Sequence, residues 1–266
     1  MVAHLHHESV ASGEPARWLV MTHGICGSGG NWRTIARKLV ARRPEWGVHL
    51  VDLRQHGRSE PGEPPQTVAA CAGDLVALIG ELGNVAALSG HSFGGKVVVA
   101  TRALAPRDLV QTWTLDAAPG PRTAATANET VQQLLALVDR SPREWSRRED
   151  FIAAIVAGGH SLPLAQWFAM NLVPVEAGGG YAVRLDTAAI RELLADYNRI
   201  DLWPSIDDPA GGAVELVVAS RSTTYTAADD AHPLAPHVHR HVIEGGHWLH
   251  VDNPEAVIEL FCRELS

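Results

Sequence analysis

A chain of 266 residues, 46% of them hydrophobic, can bury a large core, which excludes disorder and fits one large domain or one domain carrying an insertion. Its 22 Lys and Arg against 30 Asp and Glu leave a formal charge of −8 without long like-charge blocks, which argues against a nucleic-acid groove or an anionic membrane surface as the main partner. The three cysteines, Cys26, Cys71 and Cys262, match no zinc or redox spacing, and neither a secretory signal nor an apolar run long enough to span a membrane is visible, so a cytoplasmic protein with reduced thiols is expected.

Short apolar runs alternate with amphipathic stretches along the chain. "RWLVMTHG" and "WGVHLVDLR" read as buried parallel strands, each ended by polar or glycine punctuation. Between them Trp32, Ile35, Ala36, Leu39 and Val40 recur at helical spacing, with Asn31 placed to cap. A second helix is predicted from Thr67, with Val68, Cys71, Leu75, Leu78, Ile79 and Leu82 on one face. "NVAALSG" follows as a strand ending at Ser89, then a helix beginning near Phe93, then the strand candidate "LVQTWTLDAA". From about Pro119 to Pro204 the pattern is helical ("ETVQQLLALV", "REDFIAAIVAGG", "LPLAQWFAMNL", "TAAIRELLADY"), with "EAGGGY" as a turn and no clear sheet strand. "AVELVVAS" and "HRHVIEGG" resume the strands, and a closing helix has Asn253 as cap, Pro254 at its first position and Val257, Ile258, Phe261 and Leu265 facing inward. The expectation is an α/β fold with a mostly parallel central sheet and helices on both faces, its core domain formed by 1–118 and 205–266, with an inserted helical cap at 119–204.

Within this order "LSGHSFGGKV" sets Ser92 between Gly90 and Gly94, in the turn from a strand to a helix. G-x-S-x-G in that context is a nucleophile elbow: the serine sits in a strained turn, and residues two positions either side must be small to let strand and helix approach. The plainer reading is a glycine-rich connector or a phosphate loop. A phosphate loop is disfavoured, because Lys96 is followed by Val97 and not by the Ser or Thr that would hold magnesium. A serine hydroxyl needs a base and the base an orienting acid. His247, in "EGGHWLHVDNPE", follows a strand and a glycine pair, where an imidazole can reach back over the sheet; His250 is expected to pack locally. The oxyanion formed on attack needs two donors, predicted as the backbone amides of Phe93 and of Ile25 in "THGICGSGGN". Cys26 in the same loop is read as packing. The histidines of "HLHH" and of "HVHRH" (His237, His239, His241) are read as a solvent-facing strand edge in preference to a metal site.

"HGICGSGGNW", "VDLRQHGRS", "GHSFGGK", "LDAAP" and "GHWLHVDNPE" together resemble the α/β-hydrolase fold superfamily, in the branch of small bacterial esterases of the YbfF type and their mitochondrial relatives of the abhydrolase-11 group. The resemblance spans nearly the whole chain and implies ester or thioester hydrolysis with no metal or organic cofactor. Most members of the superfamily carry the acid after the strand that is here "AVELVVAS", where this chain reads Ala219, Ser220, Arg221, Ser222. In the branch it resembles, the acid follows the preceding strand, which implies Asp116 in "LDAAP"; Asp229 and Asp230 in the longer loop stay open as alternatives. Gln55 stands where a glycine is common, and Asp52 is expected to pin a turn.

The leading functional reading is a serine hydrolase cleaving acyl esters or thioesters. Alternatives are carbon–carbon bond hydrolysis or lactone opening on the same residues, or a ligand-binding protein that has lost turnover. The expected partner is a small-molecule ester or thioester, with no nucleic acid and no membrane span, on a monomer or homodimer. Trp167, Phe168, Met170, Leu172, Tyr197 and Trp203 are the candidates to line an acyl pocket, and no Lys or Arg cluster marks a phosphate or coenzyme A site.

Overall fold

In a computed structural model the structure describes residues 1–104, 109–122, 129–175 and 179–266. The first part of the chain forms β1 (His7–Val10), β2 (Arg17–Thr22), α1 (Arg33–Arg42), β3 (Trp46–Val51), α2 (Val68–Leu82), β4 (Val85–His91), α3 (Phe93–Leu104) and β5 (Gln111–Leu115). The middle part forms α4 (Glu129–Arg140), β6 (Glu144–Trp145), α5 (Arg148–Ala157), α6 (Leu162–Phe168), β7 (Leu172–Pro174), β8 (Tyr181–Val183), α7 (Thr187–Arg199) and α8 (Trp203–Asp207). The last part forms β9 (Ala213–Ala219), α9 (Ala227–Ala231), β10 (Val238–Ile243), α10 (Leu249–Asp252) and α11 (Pro254–Glu264).

A seven-stranded sheet of order β1-β3-β2-β4-β5-β9-β10 is parallel throughout except for β1, which runs antiparallel along β3. Every residue of β3 and β5 is buried, as expected for strands covered by helices on both faces. The two-residue period sorts the side chains. Leu19 and Met21 pack with Ile35 and Leu39 of α1 and Val257, Ile258 and Phe261 of α11, while Val20 between them packs with Leu75 of α2 and Val97 of α3. The second core runs on without a break into Leu134, Phe151 and Phe168 of the middle segment. At the C-terminal helix the Asn253 side chain accepts from the Ala256 amide and Pro254 takes the first turn, as its sequence predicts.

Three expectations are revised. Ser28, not Asn31, starts the first helical segment: a 3-10 turn spans Gly29–Trp32, and the Asn31 side chain reaches back to the Ser28 amide at 2.8 Å. β4 continues past Ser89 to His91, where it pairs with Leu115 of β5. The segment expected to lack strands contains β6, β7 and β8, an antiparallel sheet of order β6-β8-β7. These strands are two or three residues long, too short for an alternating pattern to be read. The first residues of the "EAGGGY" turn, 176–178, lie outside the described residues; Gly179 and Gly180 lead into β8 with φ of +73° and +105°.

Lys96, which fits no phosphate loop, has a structural role. Its buried ammonium donates to the carbonyls of Gly120, Tyr197 and Ile200 at 2.8, 2.9 and 2.9 Å, tying both ends of the middle segment to α3. Burial pulls its pKa down to about 8.

Candidate active site

The loops that follow β2, β4, β5, β9 and β10 meet at the C-terminal edge of the sheet, the usual place for a site in an open α/β fold. Ser92 follows β4 directly and adopts φ +51°, the left-handed region that costs a side chain energy. The turn is held by the Ser92 amide donating to the Leu115 carbonyl at 3.0 Å and by the Gly95 amide donating to the Ser92 carbonyl at 2.9 Å. Gly94 lets the elbow close: a Cβ there would lie 2.5 Å from the His23 carbonyl oxygen and 2.6 Å from Thr22 Oγ1. Gly94→Val should therefore destabilise the fold by about 3 kcal/mol or more, seen as loss of soluble protein or a large fall in the thermal midpoint. A variant that is soluble with an unchanged midpoint would show that the contact is looser than described.

His247 Nε2 lies 3.0 Å from Ser92 Oγ, and His247 Nδ1 lies 2.6 Å from Asp116 Oδ2. Asp116 is fully buried and also left-handed, at φ +47°. Its carboxylate is saturated with donors. Oδ1 accepts from the Ala219 amide at 3.1 Å, and Oδ2 accepts from Ser222 Oγ at 2.6 Å and Thr224 Oγ1 at 3.0 Å besides His247. Ser222 occupies the loop after β9 where most members of the superfamily carry a carboxylate, and it contributes a hydroxyl to the carboxylate of Asp116 instead. Asp229 and Asp230 are engaged elsewhere. Asp229 Oδ1 accepts from the Gly120 amide at 3.1 Å and Trp203 Nε1 at 3.2 Å, and its Oδ2 from Thr226 Oγ1 at 2.7 Å, while Asp230 pairs with Arg240.

His91 supports the histidine loop from below. Its Nε2–H donates to the His247 carbonyl at 2.7 Å, and its ring packs against His247, His250 and Trp32. Burial, then the neighbouring His247 and His250, hold its pKa well below the ordinary histidine value, so the ring stays neutral. His250 is likewise pushed down to about 4 by burial. His23 Nε2, in the loop after β2, accepts from the Leu53 amide at 3.0 Å, and His56 Nε2, in the loop after β3, accepts from the Cys26 amide at 2.9 Å. Two buried imidazoles thus brace the stretch that carries Ile25. Among the described residues, neither the Ile25 nor the Phe93 amide is matched to an acceptor; Phe93 opens α3, where the first helical N–H groups have no partner in the helix. Burial pushes the Cys26 thiol up to about 12, which leaves it without thiolate to act as a nucleophile. Asp52 pins its turn by accepting from the Gly29 and Arg58 amides at 2.7 and 2.9 Å.

Ser92, His247 and Ile25 line one cavity of about 470 Å³. Of the predicted pocket residues Trp167 and Tyr197 line it as well. Phe168, Met170 and Trp203 do not. Phe168 is fully buried against Phe151, because the next position on α6 turns it away from the cavity. Met170 lies outside, its sulfur 3.5 Å from Asn31 Nδ2, and Trp203 stacks on His232 while donating to Asp229. Leu172 is buried at the start of β7. Ser222, Thr224, His91 and the His23–His56 brace escaped the sequence reading; "HG" in the loop after β2 and "HG" after β3 were the only signal for the brace. His239 and His241 share one face of β10 and both meet Glu215 of β9, at 3.1 and 2.6 Å.

A buried carboxylate, an imidazole and a hydroxyl in a chain of hydrogen bonds beside a cavity of mixed polar and apolar lining can perform acyl transfer. The profile of the Alpha/beta hydrolase family matches residues 19–260. Among curated proteins the chain is similar to the sn-1-specific diacylglycerol lipase ABHD11 of Danio rerio, 30% identical over 250 residues, covering 89% of this chain and 74% of that one. It is also similar to esterase YbfF of Escherichia coli, 29% identical over 253 residues, covering 93% of this chain and 92% of that one. A solved marine microorganism esterase shares the fold, with a TM-score of 0.83 at 24% identity over 97% of this chain and 98% of that one. The sheet order, the elbow and these matches agree: the chain belongs to the alpha/beta hydrolase family and is a hydrolase.

Proposed function

We propose that this hydrolase cleaves carboxylic esters, and thioesters of similar shape, through an acyl-enzyme on Ser92. Ser92 Oγ attacks the carbonyl carbon while His247 Nε2 takes its proton, and the charge gathered on the carbonyl oxygen is met by the Ile25 and Phe93 amides. Asp116 holds the His247 tautomer and stabilises the imidazolium. His247 then hands the proton to the leaving alcohol or thiol. A water molecule, deprotonated in turn by His247, attacks the acyl-enzyme and releases the carboxylic acid, restoring Ser92. No cofactor enters the sequence. In this reading residues 119–204 form a cap over a core of 1–118 and 205–266, and their walls of the cavity, Trp167 and Tyr197 among them, receive the substrate. Among the described residues no helix is long and apolar enough to cross a membrane, and the substrate is taken to be a small molecule.

The observation that carries the reading is the continuous run from Ser92 Oγ to His247 at 3.0 Å and from His247 to Asp116 at 2.6 Å. A panel of p-nitrophenyl esters of increasing acyl length, beside acyl-coenzyme A thioesters, tests it. Saturable ester turnover, unchanged by EDTA, is expected. Absence of turnover on every ester and thioester would remove the acyl-transfer reading, and cleavage restricted to lactones or carbon–carbon substrates would replace it.

A further inference from the structure

Among the described residues the buried arginines elsewhere in this protein donate through both terminal nitrogens, Arg102 leaving only its Nε without a partner. Arg54 forks onto Asp74 at 2.6 and 2.8 Å, and Arg102 donates to the carbonyls of Ser205, Asp208 and Gly212 at 2.7, 2.7 and 2.9 Å. Arg122, on the wall of the Ser92 cavity, is different. Its Nε is buried with no hydrogen-bond partner, and its Nη2 makes one long contact, 3.4 Å, with the Thr223 carbonyl. Among the described residues it forms no ion pair. Its backbone is fixed, the amide donating to the Asn198 carbonyl at 2.7 Å. Of the other charges on this wall, Arg221 pairs with Glu244 at 3.2 Å, and Glu129 accepts from the neutral Gln133 amide at 3.1 Å and keeps its charge. The Tyr197 phenol lies beside both the cation and the nucleophile. Burial raises its pKa, while the side chains of Arg122 and Ser92 beside it oppose that rise.

A guanidinium left short of partners in a half-enclosed cavity is a receptor for planar or tetrahedral oxyanions, which it can take in two parallel hydrogen bonds. With a formal charge of −8 the chain as a whole repels anions, so any such attraction has to be local. We propose that Arg122 binds a carboxylate or phosphate carried by the substrate, making this a hydrolase selective for esters with an anionic group near the scissile carbonyl. The inference rests on the assignment of Ser92 as nucleophile, since the cavity is the substrate site only on that reading.

Three chromogenic esters test it: neutral p-nitrophenyl hexanoate, mono-p-nitrophenyl adipate with the carboxylate on the acyl side, and 5-hexanoyloxy-2-nitrobenzoate with it on the leaving group. Inorganic phosphate is tested as a competitor of the neutral ester, so that the arms separate an acyl carboxylate, a leaving-group carboxylate and a phosphate. At least one anionic ester should exceed the neutral one by about tenfold in kcat/KM, or phosphate should compete, and either effect should shrink as salt rises. In Arg122→Gln the anionic-to-neutral ratio should fall by about tenfold, with Arg122→Lys in between. Equal or lower kcat/KM for both anionic esters together with no competition by phosphate, or a ratio and competition unchanged in Arg122→Gln, overturns the proposal. Should that variant not fold, the ratio and salt dependence of the parent decide. If the neutral ester is cleaved by the parent and not by Ser92→Ala while charge makes no difference, this inference alone fails. If Ser92→Ala cleaves all three, the nucleophile assignment fails with it.

Discussion

Ser92→Ala is expected to lower turnover of a short-chain ester by about a million-fold, leaving only what binding in the cavity supplies. Among the described residues the hydroxyl is the one potential nucleophile that His247 Nε2 meets, at 3.0 Å, and the buried Cys26 thiol offers no substitute. The fold should survive. Alanine is smaller than serine and meets the same backbone demand at φ +51°, so the thermal midpoint should move little. The comparison is kcat of parent and variant on one ester, with circular dichroism to verify folding; activity within tenfold of the parent would remove Ser92 from the mechanism.

Asp116→Asn should cost up to about ten-thousand-fold in kcat, the scale seen when the orienting carboxylate of such an arrangement becomes an amide. Asp116 receives donors on both oxygens: the Ala219 amide on one, and Ser222, Thr224 and His247 on the other. Whichever way the asparagine turns, its NH2 faces a donor. Turned toward His247, it forces the wrong tautomer on the imidazole; turned toward Ala219, it leaves a buried amide unpaired and still supplies no charge for the imidazolium. Asp229→Asn, measured beside it, should stay within a few fold of the parent in kcat, because that carboxylate holds Gly120, Trp203 and Thr226 and not His247. The reverse pattern, a collapse in Asp229→Asn and near-parental turnover in Asp116→Asn, would transfer the acid role to the longer loop.

What the sequence discloses depends on how local the physical cause is. Gly94 relieves crowding against Thr22 and His23 at the end of β2, which its own neighbourhood in the sequence does not disclose, whereas Gly90 announces the elbow because the crowding it relieves, against the Gly94 and Gly95 backbone, lies within a few residues. The long strands are legible for the same reason, each being an apolar run with its own punctuation. Asp116 is marked only by resemblance, since its partners Ala219, Ser222, Thr224 and His247 come from segments more than a hundred residues away, and "LDAAP" by itself reads equally well as a helix cap. The pocket divides on helix phase: Trp167 and Phe168 are neighbours of similar character, and which one meets the cavity is decided by how α6 docks, a fact of tertiary packing. Arg122 stands beside a proline and a glycine in an irregular stretch, and what sets it apart is tertiary: a place on the cavity wall with, among the described residues, a buried Nε that has no partner and one long contact from Nη2. Gln55 is instructive in the opposite sense. Its φ of +65° explains why glycine is common at that place, and the side chain is kept there by a bond to the Pro61 carbonyl at 2.9 Å.

The central claim is that Ser92 becomes covalently acylated. A fluorophosphonate reacts with an activated serine and leaves a stable adduct, so intact-protein mass spectrometry followed by peptide mapping reads the claim directly. One adduct per chain, on Ser92, formed in step with loss of esterase activity and absent from Ser92→Ala, is the predicted result. An adduct on another residue that tracks the loss of activity, or full ester turnover in protein whose Ser92 is quantitatively modified, would contradict it.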